Sequence, residues 1–204
     1  MNTPTKKLIT LTLISIISLT TLTGCFGGGE EETANTSSDP HYITYEKTGT
    51  FIDAPSDWEV LTETNFPSNV PSSTLAVFRN NIKNDIFTAN LSITQAEITK
   101  GTPSKDFALQ TLNTQKYNLI GFVELGREDF DILQKTTDSE EKIDTTHFLR
   151  FQGRKTVTDP VLEFKQFFVA RNGYGLIITA AYLPNEDQSV VAKLDTMLKS
   201  FRLK

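Results

Sequence analysis

The chain has 204 residues, a formal net charge of −5 and one cysteine. An acidic chain gains nothing from counterion release on a polyanion, which argues against DNA or RNA as its partner. A single thiol excludes an internal disulfide framework.

Met1 to Lys7 carries two positive charges, Lys6 and Lys7, and no negative one. An uncharged run rich in Leu, Ile and Thr follows from Leu8 to Gly24. A basic start followed by a short apolar segment is the plan of a secretory signal peptide. The run is about 17 residues, the bottom of the range that spans a bilayer, so a plain membrane anchor is the alternative. It closes on Leu22-Thr23-Gly24-Cys25, an aliphatic residue, two small residues and a cysteine, which matches the bacterial lipobox. Residues 1–24 then form a lipoprotein signal peptide. Leu22, Thr23 and Gly24 are the signal peptidase recognition site, and Cys25 is the lipid attachment site. Loss of Lys6 and Lys7 with the signal leaves a charge of about −7, with no general attraction to anionic lipid. The acyl chains (palmitate among them) must do the tethering, and two or three anchor stably where one binds marginally.

Residues 25–40 comprise the lipidated cysteine and a flexible linker. Gly27-Gly28-Gly29 is pliable, Glu30-Glu31-Glu32 is solvated, and Thr33 to Asp39 is small and polar. Such a composition buries too little apolar surface to offset chain entropy, which predicts disorder. Phe26 follows Cys25 where an Asp would argue for inner-membrane retention. The expected location is extracytoplasmic and lipid-anchored, at the outer membrane or cell surface according to the host envelope.

Residues 41–204 suffice for one domain with its own core. Tyr42–Tyr45 and Thr50–Ile52 predict a hairpin about Lys47-Thr48-Gly49, with Trp58-Glu59-Val60 after it. Leu75–Phe78 and Ile86–Gln95 predict the next two strands, joined by a polar turn over 79–85. Ser104, behind Pro103, is the expected cap of a helix that ends near Tyr117, with Phe107, Ala108, Leu109 and Leu112 on its apolar side. Strands are predicted at Phe122–Leu125, Phe130–Leu133, Thr145–Gln152, Leu162–Ala170 and Tyr174–Tyr182. The last is the most apolar and belongs at the sheet centre. Val190, Val191, Leu194, Met197, Leu198 and Phe201 share one helical face, with Asn185 as the expected cap and Gln188 closing a capping box. The fold class is α+β, an antiparallel β-sheet with helices on its faces.

Three segments carry a family resemblance. Gly49-Thr50-Phe51-Ile52-Asp53-Ala54-Pro55-Ser56-Asp57-Trp58 is a glycine, a short strand, a proline and a tryptophan that opens the next segment. Ala89-Asn90-Leu91-Ser92-Ile93 is a strand with Asn-Leu-Ser, and Gly175–Tyr182 leads to a helix that closes on Ser200-Phe201. In this order they make residues 41–204 resemble the PsbP-like family, which includes bacterial PsbP-related lipoproteins. The resemblance implies an antiparallel sheet sandwiched by α-helices. It also implies an accessory role, because plant and cyanobacterial members are assembly or stabilising factors of photosystem II rather than enzymes.

No catalytic residue is predicted. There is no Gly-x-Ser-x-Gly, and no Gly-Lys-Ser/Thr follows the glycine run. His41 and His147 are the only histidines and do not form a spaced pair, so no metal and no cofactor is expected. Glu128-Asp129-Phe130-Asp131 and Asp138 to Glu141 offer carboxylates, expected in solvated turns rather than facing each other across a cleft. The expected function is a membrane-tethered, non-enzymatic binding or assembly module for an envelope complex, with the membrane and an envelope protein as partners. An envelope-acting hydrolase of unrecognised type and a photosystem II accessory protein are the alternatives.

Overall fold

A computed structural model describes residues 35–36, 39, 41–47, 49–68, 70–136 and 139–204. Residues 1–24, the lipobox Leu22-Thr23-Gly24, Cys25 and most of the expected linker lie outside the described residues.

One sheet organises the molecule. Its first strands are β1 (Asn35–Thr36), β2 (Tyr42–Lys47), β3 (Thr50–Pro55), β4 (Glu59–Leu61), β5 (Thr74–Arg79) and β6 (Asn90–Glu97). Helix α1 (Ser104–Asn118) follows, then β7 (Ile120–Lys135), β8 (Glu140–Arg154), β9 (Leu162–Arg171) and β10 (Tyr174–Tyr182). The chain ends with α2 (Gln188–Ser200) and β11 (Arg202–Leu203). The strand order is β1-β2-β3-β11-β7-β8-β9-β10-β6-β5-β4. The sheet curls, because Tyr45 near one edge packs edge-to-face on Phe78 near the other, ring centroids 5.3 Å apart.

The central strands β9 and β10 bury both faces, so their side chains alternate between two cores. Phe167, Val169, Leu176, Ile178 and Ala180 join one core, beneath Leu194, Met197 and Leu198 of α2. Phe164, Phe168, Ile177 and Ala181 join the other, beneath Phe107, Ala108 and Leu112 of α1. The sheet is therefore sandwiched by helices, and Tyr174–Tyr182, expected at the sheet centre, is an interior strand off-centre in the order: β10 lies between β9 and β6 and is buried along nearly its whole length.

Several expectations are corrected. The sheet is mixed rather than purely antiparallel, since β11 runs parallel to β7 while it is antiparallel to β3. Its direction is set by α2, which hands the chain back to the sheet already pointing that way. Phe122–Leu125 and Phe130–Leu133 belong to one 16-residue strand that absorbs its irregularity in bulges between Ile120 and Val123, Glu124 and Gly126, and Ile132 and Leu133. Ser104 does not cap α1; its hydroxyl donates to Asp144 Oδ2 at 2.6 Å and accepts from the Ala170 amide at 2.9 Å. The cap of α2 is Asp187, which accepts from Ser189 N at 2.7 Å, rather than Asn185. Asn35–Thr36, inside the expected linker, pairs with Thr44 and Ile43 of β2.

Gly175 shows how tightly α1 sits on the sheet. A Cβ there would overlap the ring of buried Phe107. Gly175→Ala is expected to cost about 1–3 kcal/mol by overpacking. Adding Phe107→Leu should recover part of that loss, and urea unfolding of both variants measures it.

Candidate functional site

The sheet has two ends of different character. The β2–β3, β7–β8 and β9–β10 turns lie toward one end, the near end, linked by Lys204 N donating to Gly49 O at 2.9 Å, Gln134 Nε2 donating to Lys204 O at 3.2 Å and Arg171 donating to Gln134 Oε1 at 3.2 Å. Asn35 pairs with Thr44 and Thr36 with Ile43, so β1 runs away from Lys47 along β2. The opposite, far end carries the 80–89 loop, the end of α1, the start of β7 and the 155–161 loop.

Exposed apolar side chains gather toward the far end. Of the ten large ones among the described residues, Ile43, Ile82, Ile86, Tyr117, Ile120, Val123, Leu125, Val157 and Val161 lie in that half, and only Ile143 does not. Ile82 (73% exposed) and Ile86 (66%) are held out by local side chain–backbone bonds. Ile82 N donates to Asn80 Oδ1 at 3.2 Å and Ile86 N to Asn84 Oδ1 at 2.8 Å, turns that asparagine favours. Phe87, next in sequence, is buried in the α1-side core and pins the loop. Ile86 therefore does not begin a strand as expected. The density of Asn and Asp over 80–85 is the signal that could have shown it.

A 460 Å³ groove toward the near end, at the start of α1, is lined by Pro103, Lys105, Lys142, Ile143, Asp144 and Thr145. Each lining charge is engaged. Lys105 reaches Asp129 at 2.8 Å, Lys142 reaches Asp131 at 2.8 Å, and Asp144 accepts from Ser104. The hydrogen bond from Lys105, helped by His147 at 3.3 Å, holds the Asp129 carboxyl below the usual range. The hydrogen bond from Lys142 does the same for Asp131. A general acid needs the opposite shift. The carboxylates of 128–131 lie on β7, and Glu140 and Glu141 on β8, rather than in the turns expected for them.

A smaller cavity of 130 Å³ lies between α1 and the end of β6, with Phe107 and Thr111 at its wall. Gln115 Nε2 donates to Gln166 Oε1 and Gln166 Nε2 to Thr179 Oγ1, both at 2.8 Å, a buried polar ladder between helix and sheet. The Thr111 hydroxyl has no hydrogen-bond partner in the protein.

His41 is exposed, and its amide donates to Asp39 Oδ1 at 2.9 Å. His147 lies on β8, distant in the fold from the β2 start. Among the described residues no group of three His, Cys, Asp or Glu could hold a metal ion, and no helix is long and apolar enough to cross a membrane. Leu22, Thr23, Gly24 and Cys25 lie outside the described residues.

The three resemblance-bearing segments converge on one core. Ile52, Ala54 and Trp58 from the first, Ala89, Leu91 and Ile93 from the second, and Leu176, Ile178 and Phe201 from the third all line the α2-side cluster. Gly49 turns the β2–β3 hairpin at φ 77°. No protein-family model and no curated protein matches the chain. Among solved structures, PsbP from the cyanobacterium Synechocystis sp. PCC 6803 aligns over 85% of this chain and 98% of its own, at 15% identity and a TM-score of 0.53. The fold is PsbP-like. Lower similarity is found to PA94, a protein of unknown function from Pseudomonas aeruginosa, with 16% identity over 78% of this chain and 95% of that one and a TM-score of 0.49. LpqN of Mycobacterium tuberculosis, described as involved in cell envelope biogenesis, aligns at 13% identity over 80% of this chain and 89% of its own, also at 0.49. The shared PsbP-like features are packing residues, so they fix the fold and leave the site to be read from the surface.

The groove charges predict the acid limb of stability. Asp129 and Asp131 have folded pKa values below their unfolded ones, so their contribution is fully present above about pH 4 and is lost as pH falls through the folded values. Thermal melts followed by circular dichroism should show the midpoint falling more steeply in acid for the wild type than for Asp129→Asn/Asp131→Asn.

Proposed function

We propose that the protein is a lipid-tethered extracytoplasmic module that binds a partner protein of the cell envelope and performs no catalysis of its own. The distribution of exposed apolar side chains carries this reading: nine of the ten large ones among the described residues lie in the half of the sheet away from the β2–β3, β7–β8 and β9–β10 turns. Cys25 precedes Asn35 by a stretch that extends to about 35 Å at most. With lipid on Cys25, a linker of that reach lets the domain present its far half to a partner away from the membrane. Monomeric proteins scatter exposed apolar residues singly, whereas gathered ones mark contact surfaces. The accessory role implied by the PsbP-like resemblance supports the same reading, as does the engagement of every charge lining the groove at α1.

Membrane fractionation with intact-mass analysis tests the anchor. Wild-type protein is expected with the membranes and with a diacylglyceryl adduct on Cys25, and Cys25→Ala without either. Affinity capture from membranes in mild detergent tests the far end. Ile82→Ser/Ile86→Ser should weaken a partner captured by the wild type by about tenfold or more, the effect of roughly 1.4 kcal/mol of lost apolar contact. Retention of Cys25→Ala in the membrane, or capture unchanged by the far-end variant, contradicts the reading.

A further inference from the structure

Strand β7 has an open edge. On one side it pairs with β8 from Ile120 to Lys135. On the other, β11 pairs only with Leu133 and Gln134. Among the described residues no other strand pairs with β7, and no backbone hydrogen bond from a turn or loop reaches residues 120–132. Within that stretch Arg127–Ile132 keeps unbroken register with β8, a regular edge of about 20 Å. Unpaired edges are blunted by charged side chains (lysine above all), proline, bulges or a covering element, and this one carries charges at Glu124, Arg127, Glu128, Asp129 and Asp131 and bulges only outside Arg127–Ile132. Residues 120–132 contain neither lysine nor proline.

We propose that this edge is a docking site for an extended segment of another protein, which adds to the sheet as a strand beside β7 and in line with β11. The inference rests on the binding-module reading and gives it a site.

The side chains along the edge define the occupant. Val123 faces Gln152 across the pair and Glu128 faces Phe148, so Val123 and Glu128 share the sheet face of α2, while Leu125 sits in the bulge before Gly126. Helix α2 does not cover them: Val123 is 46% and Leu125 43% exposed, and Glu128 is exposed too. The other carboxylates of the edge are engaged, Glu124 by Arg127 and Lys116, Asp129 by Lys105 and Asp131 by Lys142. Glu128 makes no ion pair among the described residues. A matching strand presents apolar side chains to Val123 and Leu125 and a lysine or arginine to Glu128, while its backbone fills the open donors and acceptors. A second copy of this chain fits poorly. Its only cation over 120–132 is Arg127, held by Glu124, and antiparallel copies would set carboxylates against one another.

Hydrogen–deuterium exchange on the lipidated full-length protein in nanodiscs tests the proposal, with a synthetic peptide of alternating Val and Lys as probe and the Val/Glu peptide as control. The Val/Lys peptide is expected to slow exchange in 120–132 on the order of tenfold, with the Val/Glu peptide weaker. Val123→Lys/Leu125→Lys should abolish the protection at an unchanged thermal midpoint, and Glu128→Lys should reverse the preference between peptides. No protection of 120–132, protection elsewhere, equal response to both peptides, or protection in the protein alone that grows with its concentration overturns the proposal. If an envelope partner captured by the wild type is kept by Val123→Lys/Leu125→Lys, the edge is wrong while the module reading stands.

Discussion

The fold depends on β9 and β10 being buried on both faces at once. A strand pair with apolar residues at consecutive positions needs cover on each side, and a chain of this size must supply both covers from its own helices. Phe167 and Phe168 show the constraint in two adjacent residues. The first stacks on Phe130 at 4.7 Å on the α2 side, and the second meets Phe107 at 5.7 Å on the α1 side. Burying either ring is worth about 1.5–3 kcal/mol, more than a single hydrogen bond of the ladder contributes. The helices are therefore placed by the strands rather than by their own propensities, and their caps are secondary.

That hierarchy explains which parts of the structure were legible in the sequence. Tyr174–Tyr182 and the face Val190–Phe201 could be read because their periodicity records the burial directly. Ser104 has the local context of a cap, behind a proline and two residues before an acidic one, yet it does not cap α1. The competing partners, Asp144 and the Ala170 amide, are 40 and 66 residues away and invisible to a local pattern. The break between Leu125 and Phe130 resembles a turn in sequence because Gly126, Glu128 and Asp129 are poor strand formers. Pairing with β8 overrides that propensity, with a bulge at Gly126 and the Arg150 guanidinium lying where a side chain would project.

The surface was less legible for a related reason. The segments that carry the PsbP-like resemblance are core segments, and a pattern that specifies a core says little about what touches it from outside. Val123 and Leu125 alternate like any half-buried strand, and nothing local distinguishes a face covered by a helix from one left open. Whether they are covered depends on where α2 ends, almost eighty residues later.

The open edge of β7 follows from the same accounting of burial. The chain leaves α2 at Ser200, whose hydroxyl accepts from the Asp53 amide at 2.8 Å, and enters the sheet only for Arg202 and Leu203. Arg202 then bridges the seam, with Asp53 of β3 at 3.3 Å and Glu140 of β8 at 3.1 Å. A longer β11 would close more of the edge, but its residues would come from the last turn of α2, where Met197 and Leu198 are buried against the sheet. Extracting those two side chains would cost about 3–6 kcal/mol. Each edge hydrogen bond gained in exchange contributes about 1 kcal/mol net, because water already satisfies the exposed groups. Covering the core wins, and the seam between β3 and β7 stays short. The unpaired edge is the place where this sheet, complete as a core, is incomplete as a sheet.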